Sequence, residues 1–396
     1  MTATFTDPQA PARATLASGL RLALFSDTYL PQVNGVARTL DRLAKAVRLR
    51  GGDVRVFTPS DPARKPDASV VNYPSVAFWA YPQLRLSAPT AGLAIRDLAA
   101  WRPTLVHAAD AFGVGLAGLR AARALDVPFV TSYHTSFSAY AKFYHLGALS
   151  GIGWKFFRWF HNSGIRTYCP TRAIEREVVA HGFANTRIWS RGIDTDRFSP
   201  SFRSAALRAE LGADNETIVV AYIGRIALEK GLDVLLKAMH QVRAQAGDRK
   251  LCFALAGDGP FEAHFRRDAP ADTKFVGMIS GDRLSQFYAS ADLFVFPSVT
   301  DTFGNVLMEA MASGLPLLGA DSGPTSELLA DGRGALFPSG DAPAMAREIL
   351  RLADDPAARI AHAVAGLAYA RTRSWDVIFD ELITDYRDAE REGAHR

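Results

Sequence analysis

What most restricts the fold of this chain is a recurring order of segments. A short apolar run is followed by a loop containing Gly or Asn, then by a stretch with apolar residues at helical spacing, then by another apolar run. Leu20 to Ser26 is the first such run, and Asp27 to Gly35 is its loop. Val36 to Arg50 carries the helical spacing and stops at Gly51-Gly52, and Asp53 to Thr58 is the next run. Short apolar runs bounded by turn residues read as buried strands, and strand–loop–helix–strand is one βαβ unit.

The order recurs. Leu105 to His107 and Pro128 to Tyr133 read as strands, with a helix over Gly113 to Ala124 between them. After Arg197 to Pro200 a second set begins, with strands at Ile218–Ile223, Leu251–Ala256 and Leu293–Pro297 and helices at Leu232–Gln245 and Val306–Ser313. Alternation of this kind predicts an α/β protein with parallel sheets covered on both faces. The expected division is a flexible leader over 1–19, a Rossmann-like domain over 20–195, and a second over 196–370. A terminal helix over 371–396 is expected to pack back toward the first domain, although the runs after Pro356 are polar enough to read as surface helices. Ligands of such sheets sit at the carboxyl ends of the strands, and two such domains facing each other would form a cleft.

Composition excludes several classes. Apolar residues make up 48% and charged residues 22% of 396, which is outside the disordered range. Two cysteines, Cys169 and Cys252, supply neither a disulfide framework nor a Cys-based zinc site. The net charge of +4 favours anionic partners, but it is dispersed and accompanied by no nucleic-acid motif, so no nucleic-acid partner is expected. No run of about 20 residues is apolar enough to span a membrane. Residues 1–20 contain Asp7, Pro8 and Pro11 and do not resemble a secretory signal, so a cytoplasmic location is expected, with peripheral attachment at the inner membrane as an extension of it.

Three segments carry chemistry. Asn34-Gly35 precedes the first helix, where glycine lets a ligand approach and the helix N-terminus favours an anion. A tight strand-to-helix turn explains the pair equally well. Gly224-Arg225-Ile-Ala-Leu-Glu-Lys230-Gly231 follows a strand and opens a helix. Its Arg fork and Lys point charge suit a diphosphate, and a solvated basic loop is the plainer alternative. In Asp301-Thr-Phe-Gly304-Asn305 through Glu309, backbone N–H groups would face a ligand at a helix start, and carboxylates suit a ribose or sugar diol. N-capping by Asp301 is the simpler reading, but Glu309 lies in an apolar helix, where a carboxylate needs a partner.

Gly224 to Gly231, Gly257-Asp-Gly-Pro260 and Asp301 to Pro316 resemble the C-terminal domain of the retaining GT-B glycosyltransferases of family 4. Asp27 to Thr39, Ser132-Tyr-His134-Thr135, Arg191 to Phe198 and Trp375-Asp376 resemble the same family. The similarity spans nearly all of the chain after about residue 20, and it is nearest to bacterial α-mannosyltransferases and sulfoquinovosyl- or glucosyl-diacylglycerol synthases. Asp301 departs from the family's Glu at that position. The resemblance implies two Rossmann-like domains and transfer of a hexose from a UDP- or GDP-sugar to a hydroxyl, with a membrane lipid as the expected acceptor. It implies catalytic roles for His134, Arg225, Lys230 and Asp301. It assigns the donor to Asn34, Gly35, Gly224, Arg225, Lys230, Gly257, Met278, Thr302, Phe303, Gly304, Asn305, Val306 and Glu309. No cofactor and no metal are expected, because two cations would meet the leaving-group charge and no Asp-x-Asp stands in a suitable loop. A soluble or polysaccharide acceptor, a sugar-nucleotide epimerase and a nucleotide-binding module without turnover are the alternatives.

The acceptor side is expected to involve aromatic segments. In Ile152 to Asn162, Lys155, Arg158, Asn162 and Arg166 read as one polar stripe, with Trp154, Phe156, Phe157 and Phe160 covering the rest. A basic, aromatic amphipathic helix suits an anionic membrane interface, and an aromatic core helix with one wet side fits the same pattern. Trp79 and Tyr81, with Trp154, Phe157 and Arg158, are the expected acceptor or membrane residues.

Overall fold

The computed structural model describes residues 13–32, 34–78, 81–134 and 147–393. The chain forms two compact units. One takes residues up to 134, 147–190 and 376 onward, and the other takes Arg191–Trp375.

Among the described residues, the first unit holds nine strands: β1 (Arg21–Phe25), β2 (Asp53–Pro59), β3 (Val70–Tyr73), β4 (Ser75–Phe78), β5 (Tyr81–Ser87), β6 (Leu105–Ala108), β7 (Phe129–Ser132), β8 (Arg166–Cys169) and β9 (Thr186–Ile188). Seven form a sheet in the order β3-β2-β1-β6-β7-β8-β9, and every pair in it is parallel. β4 and β5 pair antiparallel as a separate ribbon. All four residues of β6, β7 and β8 are buried, as expected for strands covered on both faces. The helix Gly35–Leu49 buries Ala37, Leu40, Leu43, Ala44 and Val47, a three–four spacing that lays one stripe on the sheet.

The second unit repeats the architecture with β10 (Ile218–Ile223), β11 (Leu251–Ala256), β12 (Lys274–Gly277), β13 (Leu293–Phe296), β14 (Leu317–Ala320) and β15 (Ala335–Phe337). Their order is β12-β11-β10-β13-β14-β15, again all parallel. Alternate residues of β10 feed two cores. Val219, Ala221 and Ile223 join one face, and Val220 and Tyr222 the other. In both sheets the strand order reverses beside the first strand of the unit, at β1/β6 and at β10/β13. That switch point opens a crevice at the carboxyl ends, where neighbouring loops diverge.

Two expectations need correction. Residues 13–19 are not a free leader. Ala17 is fully buried, and Arg13 Nε donates to Asp380 Oδ2 at 2.7 Å. Nor are the runs after Pro356 all surface helices: the last helix, Trp375–Gly393, lies on the first unit, the side toward which the terminal helix is expected to pack. It buries Ile378, Phe379, Leu382, Ile383, Tyr386 and Ala389 in the first unit. The Arg50 guanidinium, only 3% exposed, bonds Asp380 at 2.5 Å and Asp376 at 2.9 Å, and Arg166 pairs with Asp385 at 2.6 Å. The helix is polar by composition and amphipathic by position, so its charges pair with arginines at the sheet.

Candidate active site

In the second unit the loops after β10 and β13 meet at the switch point. The first runs from Gly224 to Gly231. Gly257, in the loop after β11, packs so tightly against it that an added Cβ would lie 1.9 Å from the Gly224 carbonyl oxygen, and its φ of +135° is in the region that favours glycine. The Tyr222 hydroxyl donates to the Arg225 carbonyl at 3.0 Å and fixes the start of the loop. The Arg225 side chain is 43% exposed and lies 3.3 Å from the Glu229 carboxylate. Lys230 reaches across to the other loop. Its Nζ donates to both carboxylate oxygens of Asp301, at 2.8 and 2.9 Å. The Ser298 hydroxyl donates to Asp301 Oδ2 at 2.5 Å, and the Thr300 hydroxyl donates to the Glu229 carbonyl at 3.0 Å. Lys230 and Asp301, singled out separately in the sequence, therefore form one ion pair across the crevice.

The helix Asn305–Ala312 starts directly after this pair. Gly304 precedes it with φ +83°, a left-handed position that costs glycine little. Asp301 does not cap this helix; Gly304 occupies the cap position and no side chain bonds there. Thr302 is half-buried, whereas the Phe303 side chain is core and leaves only its backbone for a ligand. Val306 packs partly against the same core. Asn305 Oδ1 is buried with no hydrogen-bond donor among the described residues. Glu309 has the partner its apolar helix demands, for the buried Tyr288 hydroxyl donates to Oε2 at 2.8 Å. Met278 follows β12 and is 65% exposed, next to Gly277, whose carbonyl accepts from the Gly257 N–H at 2.8 Å.

The first unit presents a different chemistry at its own switch point. Asn34 caps the helix Gly35–Leu49, its side chain accepting from the Ala37 N–H at 2.9 Å. Gly35 is the first helical residue and is exposed. After β1 and β6 two carboxylates, Asp27 and Asp110, lie close together. Asp110 Oδ2 accepts from the Ser26 hydroxyl at 2.7 Å and from the Asp27 N–H at 2.9 Å. Asp27 Oδ1 accepts from the Val114 N–H at 2.9 Å. Burial, then the Asp110 charge, pushes the Asp27 carboxyl up to about 7 against the pull of that amide. Neither aspartate stood out in the sequence, since a lone Asp after a strand is ordinary turn chemistry. His134 follows β7, nearly buried, its ring edge-on to Trp189 with centroids 5.4 Å apart.

The expected acceptor residues divide. Trp79 lies outside the described residues, and so does the side chain of Tyr81. Trp154 stacks on His181 at 3.7 Å between centroids. Phe157 is a correction: it is buried edge-on to Phe112 and Tyr133, and so faces the core instead of a lipid. Arg166 is a second correction, because the helix Gly147–Asn162 ends before it and Arg166 lies buried in β8. Arg158 and Lys155 are exposed on that helix beside Ile152 and Trp159, 69% and 49% exposed. Phe112 extends the same surface, stacked on Phe156 at 5.6 Å. Among the described residues, no helix is long and apolar enough to cross a membrane.

Comparison with known proteins agrees with this division. Residues 33–197 match the family model "Glycosyltransferase Family 4", and residues 217–355 match "Glycosyl transferases group 1". The chain is 33% identical over 383 residues to a GDP-mannose-dependent alpha-mannosyltransferase of Mycobacterium tuberculosis, covering 93% of this chain and 96% of that one. It is 28% identical over 334 residues to an alpha-monoglucosyldiacylglycerol synthase of Streptococcus pneumoniae, covering 80% and 75%. Among solved structures, Anabaena HepE in complex with UDP superposes with a TM-score of 0.74 at 21% identity, over 93% of this chain and all of that one. Sucrose-phosphate synthase from Thermosynechococcus elongatus gives the same TM-score at 20% identity, over 93% and 98%. Those two likenesses establish the GT-B fold. The near full-length similarity to the mannosyltransferase goes further: this chain belongs to glycosyltransferase family 4.

Proposed function

We propose that the protein transfers a hexose from a nucleoside-diphosphate sugar to a hydroxyl of a membrane lipid, with retention and without a metal. GDP-mannose is the first donor to test, because the mannosyltransferase relative named for it is similar along nearly all of both chains. The observation that carries the reading is the Arg225–Lys230–Asp301 cluster at the β10/β13 switch point, with Glu309 on the helix that follows it. Cations beside a helix start at that point suit a diphosphate. As the glycosidic bond breaks, charge builds on the phosphate oxygens, and Arg225 and Lys230 stabilise it. Glu309, fixed by Tyr288, takes the ribose diol. Asp301 and the backbone N–H groups near Thr302 to Asn305 hold the sugar, and Gly224, Gly257 and Met278 line the approach to the nucleotide. In the first unit, the helix start at Gly35 is an N–H terminus of the kind that suits an anion. His134, in the first unit, is a candidate catalytic group by the family resemblance. The acceptor hydroxyl attacks from the face of departure, and the leaving phosphate takes its proton.

A lipid acceptor is supported by the exposed Ile152, Trp159 and Phe112 beside Lys155 and Arg158. That combination suits an anionic bilayer surface and peripheral attachment. The test is a panel of GDP- and UDP-sugars with and without anionic lipid vesicles containing diacylglycerol or glycolipid, read by released nucleoside diphosphate. Release from one donor that rises with vesicles is expected. Equal release without vesicles would replace the lipid with a soluble acceptor. Nucleotide binding without release from any donor would leave a binding module.

A further inference from the structure

A buried chain of hydrogen bonds links His134 to the last helix. The Tyr386 hydroxyl lies 2.7 Å from His107 Nδ1, His107 Nε2 lies 2.8 Å from the Ser132 hydroxyl, and that hydroxyl lies 2.8 Å from His134 Nε2. All four residues belong to the first unit. Tyr386 and His107 are fully buried, and Ser132 is 1% exposed. Ser132 has one hydrogen, so it donates to one imidazole and accepts from the other. The two rings must therefore carry their neutral hydrogens in opposite senses. Their order is set at the far end. Among the described residues, the only bond given to the Tyr386 hydroxyl is the one to His107 Nδ1, and a buried O–H left without an acceptor is costly. Tyr386 thus donates to His107 Nδ1, His107 Nε2–H donates to Ser132, and Ser132 donates to His134 Nε2. Burial presses the His107 pKa down to about 3, which keeps that ring neutral and its two nitrogens distinct.

We infer that Tyr386, through His107 and Ser132, is a positioning residue that fixes His134 as the tautomer with its hydrogen on Nδ1. His134 then carries its hydrogen on Nδ1, and its Nε2 is occupied and is not a proton acceptor for the reaction. The functional consequence rests on the proposed transferase reading, in which the departing phosphate takes the acceptor's proton. The tautomer itself does not depend on that reading.

The test is a long-range proton–nitrogen correlation spectrum of the full chain with 15N-labelled histidine. His134 and His107 are assigned by loss of their signals in His134→Gln and His107→Gln. At neutral pH His134 should show a protonated Nδ1 and a bare Nε2, and His107 the reverse. In Tyr386→Phe the fixed pattern of His107 should be lost, and His134 should become a mixture. If Tyr386→Phe does not fold, Ser132→Ala cuts the chain next to His134 and should change His134 while sparing His107. A wild-type His134 protonated on Nε2, or one unmoved by whichever of the two variants folds, would overturn the inference. With transfer activity in hand, Tyr386→Phe should lower kcat about tenfold and leave the donor KM within twofold, the signature of a group acting after binding. A parallel loss of affinity would contradict it. Correct tautomers in a chain that transfers nothing would leave the relay standing and sink the proposed function instead.

Discussion

The Lys230–Asp301 pair makes an unusual demand on nucleotide affinity. Lys230 is proposed to face a diphosphate, yet Asp301 stands directly behind it, with both carboxylate oxygens 2.8 and 2.9 Å from Nζ. The side chains are 20% and 27% exposed, which places the pair near the surface, where an effective dielectric of about 20 applies. A lysine about 4 Å from a phosphate charge then contributes about 4 kcal/mol, and a carboxylate about 3 Å further back opposes it by about 2 kcal/mol. Replacing Lys230 alone, as Lys230→Met, should weaken binding of a nucleoside diphosphate by ~10³. Replacing both, as Lys230→Met with Asp301→Asn, should weaken it by only ~30-fold, and Asp301→Asn alone should tighten it by ~30-fold. Titration calorimetry with the nucleoside diphosphate, without a sugar, keeps Asp301's proposed sugar contact out of the comparison. If Asp301→Asn binds no better than wild type, or the double variant no better than Lys230→Met, Asp301 does not oppose the diphosphate through Lys230.

Acid should destabilise the fold through His107 and His161, both pressed down to about 3 by burial. Below pH 6.5 the unfolded chain binds these protons and the folded chain does not, so each histidine removes about 2 kcal/mol between pH 7 and pH 5. Asp27, raised to about 7, works the other way as the folded state takes up its proton. The difference between wild type and His161→Gln isolates one histidine: urea unfolding should show a pH dependence shallower by about 2 kcal/mol in the variant, and equal dependences would contradict its burial as the neutral form. At Gly257 an added Cβ would collide with the Gly224 carbonyl, so Gly257→Ala should lower the melting temperature and weaken nucleotide binding at least tenfold. Gly92→Ala, where nothing lies within 4 Å, should match wild type, and equal behaviour of the two variants would argue against the tight loop contact.

Strands made of continuous apolar residues were legible in the sequence. Ile218–Ile223 and Leu251–Ala256 are read with both ends correct, because burial on both faces leaves no polar position to confuse them. β8 was not legible as a strand. Its Arg166 is buried only because Asp385, some 220 positions on, meets the guanidinium, and no local pattern announces such a partner. The same limit governs the site. Arg225, Lys230, Asp301 and Glu309 stand out by residue type and by their place after strands. The Lys230–Asp301 bond, the Tyr288 partner of Glu309 and the Asp27–Asp110 pair depend on the sheet order, which brings distant loops to one edge. Phe157 meets the same limit: helical spacing shows that a face is aromatic, and only burial against Tyr133 places this ring in the core.

The cluster at the β10/β13 switch point is proposed to support sugar transfer to lipid. The most direct measurement follows a radiolabelled hexose from its nucleotide donor into an organic extract of anionic lipid vesicles, comparing wild type with Arg225→Ala. Label is expected in the organic phase with wild type, with a loss of about a hundredfold or more in the variant at unchanged fold stability. Label that stays in the aqueous phase with every donor, or transfer that survives the loss of Arg225, would contradict it.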